Sequence, residues 1–433
     1  MGVRVHPCFE IPAPNQPIVL ASEAATIRLR NEPVEAKVSV YVKSTPRPRV
    51  LFGVEVAQYF GLDVSLETEV TLMTTGVTVP CQILKGGMFS ESPSIICVRP
   101  LQEITAGPLD LAVSQVVFVI PNFPDFLAHG IVRELPNGGW KREDEIRLQF
   151  FDWRVTIQST SDIDERKAEL DDGGFGITAV GVFERKDGHP FVWNDAVPHI
   201  EALRVFLSFV CGRWTGPMLP AGVDANGNDV WFRWSVPLVG EGFGVFTWFD
   251  AHRGMELSEI VPEFMTKWAD PVWKEAFSYA IYWFVRANSA AAGSDGSLIL
   301  SQAALEVLSW TYLVKHVGMS RSAFKAFKTA EAIREVLVRL GIPACIPPGL
   351  ASLQTFVAGG GHPTDGVSAI VNIRNNLVHP EKGTSGLPVT EAWILAQRFI
   401  ELILLRLCGF NGEHANRTVS PRWVGQVERV PWA

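Results

Sequence analysis

The chain has 433 residues, of which 47% are hydrophobic and 19% charged, and its formal net charge is −8. That length supplies the cores of two or three domains, and the acidic balance excludes a protein that coats nucleic acid over its whole surface. Residues 1–256 carry a net charge of −10 and residues 257–433 a net charge of +2, so contact with RNA is expected only through a local patch. The acidic half suits a protein trigger or inhibitor, or restraint of a basic surface.

No charged-then-apolar leader opens the chain. The most apolar run, Trp393 to Phe410, is broken by Arg398, Glu401 and Arg406, which argues against a membrane span. The six cysteines (Cys8, Cys81, Cys97, Cys211, Cys345 and Cys408) are scattered and form no C-x-x-C pair. A reducing cytoplasm is the expected compartment, and no cofactor is called for. Phosphate-loop, serine-elbow and H-E-x-x-H patterns do not occur.

Up to about residue 190 apolar and polar residues alternate, as in Ala36–Val42 and Ile146–Phe150, with Pro-rich breaks at Pro12–Pro17 and Pro46–Pro48. Short strands of this kind predict a sandwich or barrel-like β domain. Arg185–His189 reads as a turn between strands. A helix is expected over Asp195–Trp214, with Asp195 as its cap and Pro198 in its first turn. Asp224–Asn228 is a turn leading into a strand at Val230–Val236. Residues 1–256 are thus a β-rich sensing or regulatory region, with a subdomain break near 190.

From about residue 257 the period becomes helical. Glu259–Ala287 is interrupted at Asp270-Pro271, where Asp270 can cap a new helix. Ser289–Gly296 reads as a loop, Ser297–Val317 and Ser320–Leu340 as helices, and Ile342–Leu350 as irregular. Asp365 can cap a short helix ending at Val378, and Thr390 a last long helix ending near Cys408-Gly409. Trp268, Trp273, Trp283 and Trp310 fall on apolar helices and are assigned to the core. The whole is an α+β chain, a β-rich N-terminal region (sandwich or barrel-like) followed by a helical bundle in residues 257–433.

The segment Arg374-Asn375-Asn376-Leu377-Val378-His379-Pro380 carries the chemistry. On an unbroken helix, residues five apart point about 140° away from each other. A residue before proline is pushed out of helical geometry, so the helix should stop near Val378 and let His379 turn back toward Arg374. A guanidinium forks two phosphate oxygens, and an imidazole moves protons at neutral pH. Together they can drive attack of an RNA 2′-hydroxyl on the neighbouring phosphate. One copy offers one proton carrier, and two copies across a twofold axis offer an acid, a base and two cations, so a homodimer is expected. The plainer alternative is a surface arginine and a histidine that complements the helix dipole.

Arg-Asn-x-x-x-His-Pro, preceded by Asp365-Gly366 and Ala369–Ile373, resembles the core motif of the HEPN superfamily. The resemblance takes in Ile299–Glu306 and the ending Val430-Pro431-Trp432, and spans residues 260–433. It implies a helical bundle that dimerises through the motif face and acts as a metal-independent endoribonuclease, in bacteria often a toxin or phage-defence effector. The family's catalytic arginine and histidine carry over to Arg374 and His379, and its polar neighbour to Asn375. Some members only bind RNA or scaffold a dimer, which leaves a non-catalytic module as the alternative.

Gln302 and Glu306 lie four apart on an apolar helix and share a face. They can line the cleft and orient Arg374, or form a structural polar edge. Arg321, Lys325 and Lys328 stand at helical spacing and can touch phosphates or form a solvated face. His362 and Asp365 flank the Gly359–Gly361 loop without a third metal ligand. A ligand-binding β domain with a purely structural helical part is a further reading.

Overall fold

The computed structural model describes residues 6–30, 32–57, 66–85, 94–134, 140–242, 245–289, 293–359, 363–379 and 385–433. Six strands come first: β1 (Ile18–Leu29), β2 (Glu32–Lys43), β3 (Arg49–Val56), β4 (Glu67–Leu72), β5 (Thr78–Lys85) and β6 (Ser94–Pro100). They close into an antiparallel barrel of order β1-β2-β3-β6-β5-β4, sealed where Ala25 and Ile27 of β1 pair with Leu72 and Val70 of β4. Closure leaves no free edge. Alternate residues such as Val38, Val40, Phe52, Val54 and Val70 fill the interior, as the period-2 pattern requires.

A second sheet follows, built from β7 (Ile104–Ala106), β8 (Gln115–Pro121), β9 (His129–Glu134), β10 (Trp140–Phe150), β11 (Trp153–Ser159), β12 (Ile177–Arg185), β13 (Met218–Val223) and β14 (Asp229–Trp234). Helix α1 (Ile163–Leu170) separates β11 from β12, and α2 (Trp193–Cys211) separates β12 from β13. The strand order is β7-β14-β13-β8-β12-β11-β10-β9, antiparallel throughout. One face, with Phe118, Ile120, Leu148, Val155 and Phe183, packs under α2 and the helices that follow. Part of the other, with Val117, Val119, Val180 and Val182, packs against Ile18 and Val42 of the barrel. β8 is buried on both faces, which is why its sequence is a continuous apolar run instead of an alternation.

The helical part comprises α3 (Leu257–Ala269), α4 (Pro271–Asn288), α5 (Gly293–Trp310) continued by a π-helical turn (Thr311–His316), α6 (Arg321–Ala326), α7 (Thr329–Leu340), α8 (Ala351–Ala358), α9 (Gly366–Val378) and α10 (Val389–Leu407). The short pair β15 (Glu413–His414) and β16 (Glu428–Arg429) closes the chain. α5 packs against α4, α7, α9 and α10. The stretch Gly293–His316 is long and apolar enough to cross a bilayer, and here it forms the middle of the bundle. The architecture is α+β, a barrel and a large sheet followed by a helical bundle. The sheet and the bundle share one hydrophobic core running from Val113 to Val430, while the barrel has its own.

Several boundaries differ from the sequence reading. α2 starts at Trp193 with Val192 as N-cap, and Asp195 instead accepts the Val192 N–H from the third helical position at 3.3 Å. Pro198 then falls in the second turn and removes the partner of the Asn194 carbonyl, which is tolerated because both residues are exposed. The turn after Arg185 leads into α2, not another strand. Ser320–Leu340 is two helices: Phe327 and Lys328 are extended, and the Lys328 N–H is taken by the Glu331 carboxylate at 2.7 Å. Pro388, not Thr390, precedes α10, because a residue without an N–H fits a helix start at no cost. Asp270 caps α4 through the Val272 N–H at 2.8 Å, as expected.

Candidate active site on helix α9

α9 is set by its N-cap residue, Asp365. The Asp365 carboxylate accepts the Ser368 N–H at 2.8 Å, and the Ser368 hydroxyl oxygen accepts the Asp365 N–H at 3.0 Å. Arg334 of α7 grips the same carboxylate with both arms, at 2.6 and 3.0 Å. Burial would push the Asp365 carboxyl up, but the bonds from Arg334 and Ser368 hold it below the usual carboxylate range. Asp365 is therefore a cap and an anchor to α7. Its sequence neighbour His362, with Gly360 and Gly361, lies outside the described residues. Asp365→Ala is expected to lower stability by about 1–2 kcal/mol, from the lost cap and clamp, read as a lower urea midpoint with an unchanged slope.

Val367, Ala369, Ile370 and Ile373 form the buried face of α9, which leaves the motif on the other side. Arg374, Asn375 and Asn376 are half-buried, and Val378 and His379 are exposed. The Arg374 Nη1 donates to Asn375 Oδ1 at 3.3 Å, while its Nε is enclosed with no acceptor. Among the described residues Arg374 has no carboxylate partner. His379 ends the helix with φ −118° and ψ 94°, extended as a residue before proline must be. Its N–H closes on Asn375 O at 3.1 Å and its ring makes no hydrogen bond among the described residues. Pro380 itself lies outside the described residues.

The structure thus joins Arg374 to Asn375, encloses the guanidinium Nε, and leaves the imidazole exposed. Gln302 of α5 is 2% exposed and donates to the exposed Glu306 at 2.7 Å, with its own Oε1 enclosed and unpaired. Gln302 and Glu306 form a polar pair on a helix packed against α9, and no hydrogen bond links them to Arg374. Arg321 and Lys325 are exposed on α6, but Lys328 belongs to the start of α7, so the three do not form one helical stripe. No group of three potential metal-binding side chains comes together among the described residues. The largest cavity described, about 700 Å³, lies elsewhere, on the outer face of the second sheet among Gln115, Glu145, Arg147 and Arg154.

A second polar cluster escaped the sequence reading. Arg417 makes a two-armed pair with Glu401 of α10, and it also donates to Asn288 Oδ1 at 3.2 Å and Phe246 O at 3.0 Å. Glu428 beside it takes Arg398 at 3.0 Å and Asn416 at 3.0 Å. The charges at Arg398 and Glu401 that interrupt the apolar run of α10 were the visible signal, and their partners in the tail were not.

His414 is 1% exposed next to this cluster. Burial pushes its pKa down from 6.5 to about 4; Glu428 pulls it up, and Arg398 and Arg422 push it further down. The folded chain therefore holds it neutral, while the unfolded chain takes up a proton below about 6.5. The His414 contribution to stability therefore falls as pH drops from about 6.5 to about 4, and levels off below. Relative to His414→Gln, which carries no such proton, the native sequence is expected to lose about 3 kcal/mol across that window. Urea midpoints of the two proteins between pH 4 and 7 test this. Their difference cancels the opposite slope of Glu256, whose carboxyl burial raises to about 7.

Residues 110–244 match the YopA central domain and residues 270–429 the YopA C-terminal domain. These segments correspond to strands β8–β14 of the second sheet with α1 and α2, and to the bundle from α4 to β16. The chain is similar to the SPbeta prophage-derived uncharacterized protein YopA of Bacillus subtilis (strain 168), at 25% identity over 430 residues, covering 96% of this chain and 95% of the relative. No solved structure matches the chain.

Proposed function

We propose that the protein is a metal-independent endoribonuclease of the HEPN type, cleaving RNA through Arg374 and His379 with Asn375 in support. The observation that carries the reading is the state of Arg374: a half-buried guanidinium with an enclosed, unpaired Nε and no carboxylate partner among the described residues. It sits one turn before an exposed histidine on extended backbone. The outer Nη groups meet no carboxylate among the described residues, and phosphate oxygens would be fitting acceptors for them. Asn375 fixes one arm of the guanidinium and leaves the others to the substrate.

In this reading Arg374 neutralises charge on the non-bridging oxygens as the phosphorane forms. His379 takes the proton from the attacking 2′-hydroxyl, or returns one to the departing 5′-oxygen. A second copy supplies the other proton carrier, so the working unit is a homodimer through the α9 face. The products are a 2′,3′-cyclic phosphate and a 5′-hydroxyl. The similar protein's prophage origin suits a toxin or phage-defence role, with the acidic residues 1–256 receiving a protein trigger or inhibitor. All six cysteines are free thiols, which suits the cytoplasm.

The test is cleavage of single-stranded RNA by the full chain in EDTA, with the product ends identified. Cyclic phosphate ends that disappear in Arg374→Ala and His379→Ala support the reading, and cleavage equal to native in both variants defeats the site assignment. One observation favours a non-catalytic RNA-binding or dimerisation module instead: no contact joins Arg374 and His379 among the described residues. Tight RNA binding without turnover in the native dimer would select that alternative.

A further inference from the structure

A second guanidinium without a carboxylate partner among the described residues lies far along the chain from the motif. Arg204 lies in the last two turns of α2, half-buried, and its guanidinium makes no hydrogen bond and no ion pair among the described residues. It opens into a groove of about 390 Å³ whose walls include Trp193, Val197, Ile200, Pro217, Pro220 and Pro237. Its stem is fixed from behind by Gly216, where an added Cβ would come within 2.7 Å of the Arg204 Cγ. The head is thus presented from a packed stem and does not wander over the surface.

The two arginines of the larger cavity on this sheet are neutralised. Arg154 is paired with Glu184 at 2.8 Å and Arg147 with Glu145. On the rim of the Arg204 groove, Arg233 is paired with Glu103 and lies 5.3 Å over the Trp193 ring. Glu103 is further engaged by the Ser235 hydroxyl at 2.9 Å. Two carboxylates border the groove, and neither serves Arg204: Glu103 is taken by Arg233 and Ser235, and Glu201 is exposed one turn earlier on α2 and acts on Arg204 only through space. Burial disfavours the charge on Arg204, so the unliganded state carries a cost that an anion would relieve.

We infer that this groove is a binding site for a small anion with an apolar body, its carboxylate or phosphate held by Arg204 and its body by Trp193, Val197, Ile200 and the prolines. A cleft with apolar walls and a few convergent polar groups is the usual form of a small-molecule site, and of the four charged residues around this one Arg204 is the cation without an ion pair among the described residues. A neutral ligand would leave the guanidinium unpaired, and a bare inorganic anion would leave the apolar walls wet. The carboxylate and the phosphate share the required chemistry, and the probes below separate them.

The experiment is calorimetric titration of the full-length protein with phenylacetate, phenyl phosphate and neutral phenylacetamide. Saturable binding is expected for at least one of the two anions, with a dissociation constant on the order of 1 mM or tighter, and none for the amide. The preferred anion identifies the head group. Arg204→Gln should weaken binding about tenfold or more, the size of a lost charge-assisted hydrogen bond, while its melting temperature stays near native. A groove-blocking variant, Val197→Trp, should remove binding with Arg204 intact. Failure of both anions to bind, equal binding of the amide, or binding unchanged by Arg204→Gln would overturn the proposal. None of these readouts depends on RNA cleavage.

Discussion

His379→Ala is expected to lower single-turnover cleavage of RNA by about 10²–10⁴-fold, the usual contribution of a positioned proton carrier. The variant should keep its stability within about 0.5 kcal/mol, because His379 is exposed, its ring has no partner among the described residues, and only its backbone N–H closes the helix. This pairing of a large kinetic effect with a negligible thermodynamic one separates a catalytic histidine from a structural helix terminus. Arg374→Ala should lose at least as much, since it removes the only cation of the motif. Arg374→Lys should fall between native and alanine: the charge stays, but the two-armed grip on phosphate is lost. Asn375→Ala should act through Arg374, with a smaller loss, since the amide holds one guanidinium arm at 3.3 Å. Rates measured in EDTA alongside urea midpoints decide all four. A histidine variant with native rates would move the chemistry away from α9.

Arg417→Ala should cost about 3–5 kcal/mol of stability, the largest single-residue loss expected in the bundle. The Arg417 and Glu401 side chains are 3% and 2% exposed. Removing the guanidinium strands the Glu401 carboxylate inside α10 and releases Asn288 Oδ1 and the Phe246 carbonyl together. It also removes a cation 5.6 Å above the Phe284 ring. The residues joined by Arg417 come from α4, the segment before α3, and α10, so its loss loosens the seam between the sheet and the bundle. The double variant Arg417→Met with Glu401→Leu should recover much of the loss, because an apolar pair avoids desolvating two charges. Denaturant midpoints of the single and double variants test this. Additive losses in the double would show that the pair itself contributes little.

What the sequence determined by itself was whatever is local. Period-2 alternation marked the barrel strands, the 3.6 period marked the bundle, and Asp270 and Asp365 marked two helix starts, because capping depends on a side chain and the next few N–H groups. The extended exit at His379 was readable for the same reason, since a proline constrains only its immediate predecessor. The tertiary structure decided what depends on partners distant in the chain. The apolar run of β8 showed only burial, and the fold decided that its two faces meet a barrel and a helix layer. Nothing near Phe327 announced that one expected helix would be two. Arg417 and Arg334 each meet a carboxylate and Arg204 opens into a groove, because a charge's surroundings are fixed by which elements pack beside it. For α9 the sequence gives the residue types and their order on the last turn. The fold decides that one face is buried against α5, α7 and α10, so that Arg374 is left half-buried and His379 exposed on the other side.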